Sequence, residues 1–320
     1  MALKDVPGQL RAKRFLRRIL EKNQAPHALL FTGMAGIGKS ALALEFAKAL
    51  NCLDPGDDGD CCDKCASCKR IEADNHPDFL RITSQGQFIK LDQIRGLRDR
   101  VRYRPFEGRQ RVAILEDAQK LREEAGNALL KILEEPPQQN IFILIALEPQ
   151  MLLRTIVSRC CHVRCQPIDD QWIEQRLITV HHMPEERARE AARLSEGSMA
   201  RADWWAESER VAHRDDVIGK IRSLRDLPML DFFLMTTEWA KESEDLELDL
   251  EYIKLWIRDL TFDRVMQQGD DAPLRGDPFV ESLFSLYQEV ESAMRSLRQN
   301  ANKQLVLEGV CMAIKDNLYG

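Results

Sequence analysis

The chain has 320 residues, of which 44% are hydrophobic and 31% charged, and a formal net charge of −6. That balance predicts a soluble globular protein of two or three domains with a substantial buried core. It argues against a protein that grips nucleic acid over a broad surface by itself, and no apolar run approaches the ~18 residues that a membrane span needs. No N-terminal stretch reads as a signal peptide, so a reducing, cytoplasmic compartment is expected.

The first element in chain order with chemical meaning is Ala28-Leu29-Leu30-Phe31-Thr32, a buried strand. It runs into Gly33-Met34-Ala35-Gly36-Ile37-Gly38-Lys39-Ser40, and Ala41 to Leu50 follows as a helix. This is a P-loop in its required order of strand, loop and helix. Gly33, Gly36 and Gly38 let backbone N–H groups point at phosphate oxygens, Lys39 brings a positive charge, and the Ser40 hydroxyl reaches Mg2+. The helix N-terminus then faces the anion.

Four cysteines come next. Cys62, Cys65 and Cys68 form two CxxC steps, and Cys52 stands across a loop rich in Asp and Gly. In a reducing compartment these intervals predict a closed structural zinc site rather than disulfides. Cys61 is an alternative to Cys62, although it would break the CxxC step. Cys160, Cys161, Cys165 and Cys311 sit in apolar or strand-like surroundings and are expected as core thiols.

From Phe79 the pattern alternates strand and helix. Asp78 to Ile82 reads as a strand, Leu91 to Tyr103 as an amphipathic helix, and Arg111 to Leu115 as a strand ending on Glu116-Asp117. Glu123 to Leu133 is a helix closed by Glu134-Glu135-Pro136-Pro137, and Ile141 to Ala146 is a further strand. The class is therefore α/β, with a parallel, helix-covered sheet. Arg95, Arg98, Arg100, Arg102, Arg104, Arg109 and Arg111 crowd one stretch. They are read as a solvated helix face or a subunit contact ahead of a local nucleic-acid patch.

An acidic pair after a strand downstream of a P-loop is where an ATPase holds Mg2+ and orients water. The usual order is Asp then Glu, whereas here Glu116 precedes Asp117. The exchange lengthens the metal-facing arm and shortens the water-facing one. Errors on the order of an ångström can cost about a hundredfold in rate, so nucleotide binding is expected to survive better than turnover.

Toward the C-terminus, Leu230 to Lys241, Leu250 to Gln267, Phe279 to Gln299 and Lys303 to Leu318 show helical spacing, with a loop from Gln268 to Pro278. Trp204, Trp205, Trp239 and Trp256 read as packing residues.

These residues converge on a resemblance. The stretch from Pro26 through the P-loop and zinc cysteines, His76-Pro77-Asp78, Glu116-Asp117, the run from Asn127 to Pro137 and Ser158-Arg159-Cys160 resembles bacterial clamp-loader subunits of the AAA+ class, from the DNA polymerase III holoenzyme. Weaker echoes lie in Gly197 to Ala202 and Asn300 to Glu308. The resemblance implies a RecA-like AAA+ domain over 1–165 with its zinc module at 52–68, a helical lid over 166–206 and a helical collar domain over 207–320. It also implies that Arg159 enters the ATP site of an adjacent subunit, as a trans-acting finger typically worth roughly 10³ to 10⁵ in rate.

Within that family, the stretch Ile145-Ala146-Leu147-Glu148-Pro149 puts apolar residues at the expected positions of a motor subunit's polar sensor, and Ala200 stands in the place of the lid arginine, with Arg201 one position on. These departures resemble the delta prime type. The expected function is a stator that helps open the sliding clamp and load it on primed DNA, with weak or no ATPase of its own. The expected partners are delta and gamma/tau subunits in a hetero-pentameric ring, together with the clamp and the DNA. The expected cofactors are structural Zn2+ and ATP with Mg2+, the latter as a bound ligand. The alternative is an ATP-hydrolysing gamma-type motor subunit of the same loader.

Overall fold

The computed structural model describes residues 2–56, 59–206, 208–243, 245–268 and 277–319. The chain divides into two compact units, Met1–Ala206 and Glu207–Gly320.

In chain order the first unit contains α1 (Leu10–Lys22), β1 (Ala28–Thr32), α2 (Lys39–Asn51), α3 (Ala66–Glu72), β2 (Phe79–Ile82), α4 (Leu91–Val101) and β3 (Arg111–Leu115). These are followed by α5 (Glu123–Glu134), β4 (Asn140–Ala146), α6 (Arg154–Val157), β5 (Cys161–Arg164), α7 (Asp170–His181), α8 (Glu185–Leu194) and α9 (Met199–Trp205). The five strands form one parallel sheet in the order β2-β3-β4-β1-β5. Residues of β1, β3 and β4 are buried along their whole length, as expected of inner strands covered on both faces.

The two-residue period of β1 divides the core. Leu29 and Phe31 pack with Leu16 of α1 and Phe46 of α2, whereas Ala28 and Leu30 pack with Ile94 of α4 and Leu129 of α5. The expected α/β parallel sheet is therefore present, and it is the RecA-like AAA+ arrangement. The P-loop leaves the carboxyl end of β1 inside the sheet, where a parallel α/β sheet binds ligands.

Boundaries differ where tertiary contacts intervene. The helix expected to reach Tyr103 ends at Val101, because the carbonyls of Arg100, Tyr103 and Arg104 turn to the Arg111 guanidinium. Asp78 lies outside β2 for a related reason, its carboxylate being the buried partner of Arg111 at 2.8 Å. Arg111 is thus a core residue, unlike its exposed neighbours in the arginine-rich stretch. Among the cysteines outside the CxxC region, Cys165 and Cys311 are buried and Cys160 and Cys161 half-buried.

The second unit is helical: α10 (Ser208–Ser223), α11 (Met229–Glu242), α12 (Leu246–Gln268), α13 (Pro278–Arg298) and α14 (Lys303–Leu318). Its core rows recur at helical spacing, as in Leu250, Ile253 and Ile257, or Leu307, Cys311 and Ile314. At its centre Asp249 is fully buried and accepts from Trp239 Nε1 at 2.9 Å and Ser243 Oγ at 2.7 Å, with His213 Nε2 at 2.6 Å. Most of the expected loop between Gln268 and Pro278 lies outside the described residues. Its ends are helical: Gln268 closes α12 and Pro278 opens α13, capped by the Asp277 carboxylate on Phe279 N. Trp205, Trp239 and Trp256 are buried, and Trp204 meets Trp205 edge-on at 4.9 Å between ring centroids. Among the described residues no helix is long and apolar enough to cross a membrane.

Candidate functional site

The P-loop backbone requires its glycines. Gly33 has φ +141° and Gly36 φ +76°, and a Cβ on Gly36 would lie 2.2 Å from Ser198 Oγ. Lys39 donates from Nζ to Gly33 O and Met34 O, both at 2.6 Å, so its ammonium lies folded against the loop. Burial pulls the Lys39 pKa down, opposed by Cys165, Asp117 and Glu116. Ser40 Oγ donates to Glu116 Oε2 at 2.6 Å.

The acidic pair separates by direction. Glu116 faces Ser40, where a Mg2+ ion would be shared with phosphate. Asp117 sits in the left-handed region at φ +49° and pairs with Lys120 at 2.8 Å. Both acids, together with Gly36, Gly38, Lys39 and Ser40, line a cavity of about 380 Å³. Ile145, Ala146, Leu147, Met199 and Ala200 complete the wall as apolar residues, with Asp203 beside them. The start of α9 rests on the P-loop, since Met199 N donates to Gly36 O at 2.9 Å. Arg201 turns instead to Glu196, with which it is ion-paired.

The donor set fits the phosphates and Mg2+ of a nucleotide, with Gly33, Gly36, Gly38, Lys39 and Ser40 on the phosphates and Ser40 and Glu116 at the metal. It offers no polar sensor from Ile145-Ala146-Leu147 and no arginine from position 200.

The sulfurs of Cys52, Cys62, Cys65 and Cys68 all lie within 4.8 Å of one another. Cys52 and Cys68 stand 3.7 Å apart, close to the ~3.8 Å edge of a tetrahedron built on Zn–S bonds of about 2.3 Å. Backbone N–H groups of Cys62, Cys65 and Cys68 donate to Cys52, Cys62 and Cys65 sulfurs at 3.3, 3.3 and 3.5 Å. Burial alone would raise the Cys65 thiol, but donation from Cys68 and Leu53 N–H groups outweighs it and brings the pKa down to about 6. The set therefore fits a thiolate-bound zinc ion. Cys61 points elsewhere, to Glu45 Oε2 at 3.6 Å.

Arg159 follows α6 and precedes β5. Its Nη2 donates to Glu134 Oε1 at 2.8 Å and its Nη1 to Thr155 O at 3.0 Å, and its side chain is 35% exposed. It stands apart from the P-loop cavity, whose lining does not include it.

Some residues around these sites escaped the sequence reading. Gln9 is buried and ties three segments together: Nε2 donates to Ile37 O at 3.0 Å and Gln166 O at 2.6 Å, while Oε1 accepts from Gln166 N at 2.8 Å. Lys48, on α2 behind the cysteines, is buried among Glu45, Asp63 and Glu72. Burial would lower its pKa, but these three carboxylates outweigh that and raise it. The only signal for Lys48 was a charge on the apolar side of a helix; for Gln9 there was none beyond the adjacent Gly8.

The family model described as "DNA polymerase III, delta subunit" matches residues 8–169. DNA polymerase III subunit delta' of Bacillus subtilis (strain 168) is 32% identical over 305 residues, 93% of this chain and 88% of that protein. DNA polymerase III subunit tau/gamma of Haemophilus influenzae is 38% identical over 176 residues, 55% of this chain and 25% of that protein. Among solved structures, a DNA polymerase III gamma subunit-related protein of Thermotoga maritima gives a TM-score of 0.46 at 20% identity, covering 97% of this chain and 99% of that one. With a family match over half its length and a delta' likeness over nearly all of it, the chain belongs to the DNA polymerase III clamp-loader subunits, in the delta prime branch.

Proposed function

We propose that this chain is the stator of its clamp loader: it helps open the sliding clamp for loading on primed DNA and lends Arg159 to the ATP site of an adjacent subunit. The observation that carries this reading is the state of its own nucleotide site. The start of α9 is hydrogen-bonded to the P-loop through Met199 and Gly36, and the wall is apolar at Ile145-Ala146-Leu147 and Ala200. Such a site holds a nucleotide as a structural ligand and contributes little to turnover. When bound, ATP with Mg2+ would supply the charge that fixes the P-loop against α9.

The rest of the architecture follows the same reading. Residues 1–165 act as the AAA+ domain, 166–206 as the lid and 207–320 as the collar that joins delta and gamma/tau neighbours in a pentameric ring, in the cytoplasm. The cysteines hold a structural zinc ion. One observation favours the second reading, a gamma-type motor: Lys39 is present and Ser40 pairs with Glu116 as an active site requires.

Steady-state ATP turnover separates the two. The purified chain, given primed DNA and clamp, is expected to turn over no ATP; turnover that disappears in K39A makes the chain a motor. In the assembled loader, R159A is expected to remove the share of turnover contributed by the site it serves, by roughly a thousandfold at that site, with the subunit still folded. Undiminished turnover in R159A sinks the finger assignment.

A further inference from the structure

We infer that Glu134 is a positioning residue for Arg159, an assignment that rests on the reading of Arg159 as an arginine acting on a neighbour's nucleotide. The guanidinium is pinned between two helix ends. Glu134, the last residue of α5, accepts from Nη2 at 2.8 Å, and Thr155 in the short helix α6 accepts from Nη1 at 3.0 Å through its carbonyl. Ser158 Oγ lies at 3.5 Å from the same Nη1. Arginine has more N–H groups than these acceptors use, so donors remain for a phosphate.

The spacing of the two helix ends is set by the core. Leu133, next to Glu134, and Ile156, next to Thr155, are buried in one apolar cluster. Glu134 is also costly where it stands. A carboxylate at a helix C-terminus meets the negative end of the helix dipole, and Pro136 keeps α5 from extending past it. The Arg159 guanidinium offsets that cost, and the carboxylate in return restricts an otherwise mobile side chain to one geometry. Preorganisation of this kind acts on the rate, because the arginine responds to charge that develops in the transition state.

The test uses the assembled loader with clamp and primed DNA, measuring kcat and KM for ATP in wild type, E134Q, E134A, R159A and the E134A/R159A double variant. Because the pair is half-exposed, E134A is expected to lower turnover at the site that Arg159 serves by about three- to fivefold, a part of the loss seen in R159A. KM should stay unchanged, as for an interaction made only in the transition state. E134Q keeps an acceptor oxygen and should retain most of the rate. In the R159A background, E134A should have no further effect. If R159A is slow but E134A runs at the wild-type rate, or if E134A slows the R159A loader further, the positioning role is overturned while the finger stands. If R159A itself runs at the wild-type rate, the finger reading fails and the positioning role fails with it.

Discussion

At the scale of single residues, Cys65 and Lys48 show how a polar loop is held. Cys65 accepts the Cys68 N–H and caps α3, which holds its sulfur within 4.8 Å of the other three. Lys48 supplies a buried positive charge behind the knuckle and answers Glu45, Asp63 and Glu72 together. Cys65→Ser should reduce bound zinc from stoichiometric to near zero by elemental analysis, since a closed tetrahedral site tolerates no missing thiolate. Wild-type protein purified without chelators and found free of zinc would refute the metal assignment. The motif spacing announced Cys65, whereas for Lys48 the sequence showed only a charge on the apolar side of a helix, with nothing to name its partners.

At the scale of elements, the middle of the segment from 102 to 110 between α4 and β3 is fixed from beneath by a carboxylate, with Arg111 and Asn51 holding its ends. Asp78 accepts from the N–H groups of Phe106, Glu107 and Gly108 at 2.8 to 2.9 Å and pairs with Arg111. Burial alone would raise the Asp78 pKa, but the three N–H groups and the guanidinium outweigh it and hold it below its ordinary 3.8. The stabilisation is therefore complete above pH 3.8 and is lost as pH falls through the depressed folded value, because the unfolded chain takes up the proton first. Adjacent His76 behaves in the same sense one step higher. Burial lowers its pKa below 6.5, with Asp78 N donating to Nδ1, so stability also falls as pH drops through that range. Urea unfolding against pH should show both losses in wild type and only the upper one in D78N. Removing the side chain in D78A leaves Arg111 buried without its carboxylate and should cost about 3–5 kcal/mol at neutral pH. A urea midpoint for D78A equal to wild type would show that the loop is held by other contacts.

At the scale of the whole molecule, two units of different construction share one chain. The first is a layered sheet whose cysteine module hangs from α2 and α3; the second is a set of helices organised around Asp249. Metal removal should therefore act locally. Chelation is expected to raise amide hydrogen exchange across 52–72 and along α2, with α11 to α14 unchanged. Equal loss of protection in both units would mean that they unfold as one cooperative block.

Legibility followed the reach of the interactions. Patterns carried by neighbouring residues were readable: β1, β3 and α14 lie where short apolar runs or helical spacing put them, and the P-loop and CxxC steps declare their chemistry because their geometry is local. The sequence alone also carried the family resemblance, through the P-loop, the cysteines, the acidic pair, the run from Asn127 to Pro137 and Ser158-Arg159-Cys160 in one order. Other features needed the tertiary structure, because they join residues far apart in the chain. Only the fold showed that Cys62 rather than Cys61 joins the sulfur cluster, that Asp78 leaves its strand for Arg111, that Asp117 turns to Lys120 while Glu116 meets Ser40, and that Met199 reaches Gly36. Each of those choices is made by burial and by the pairing of charges and hydrogen-bonding groups across elements, which no local pattern records.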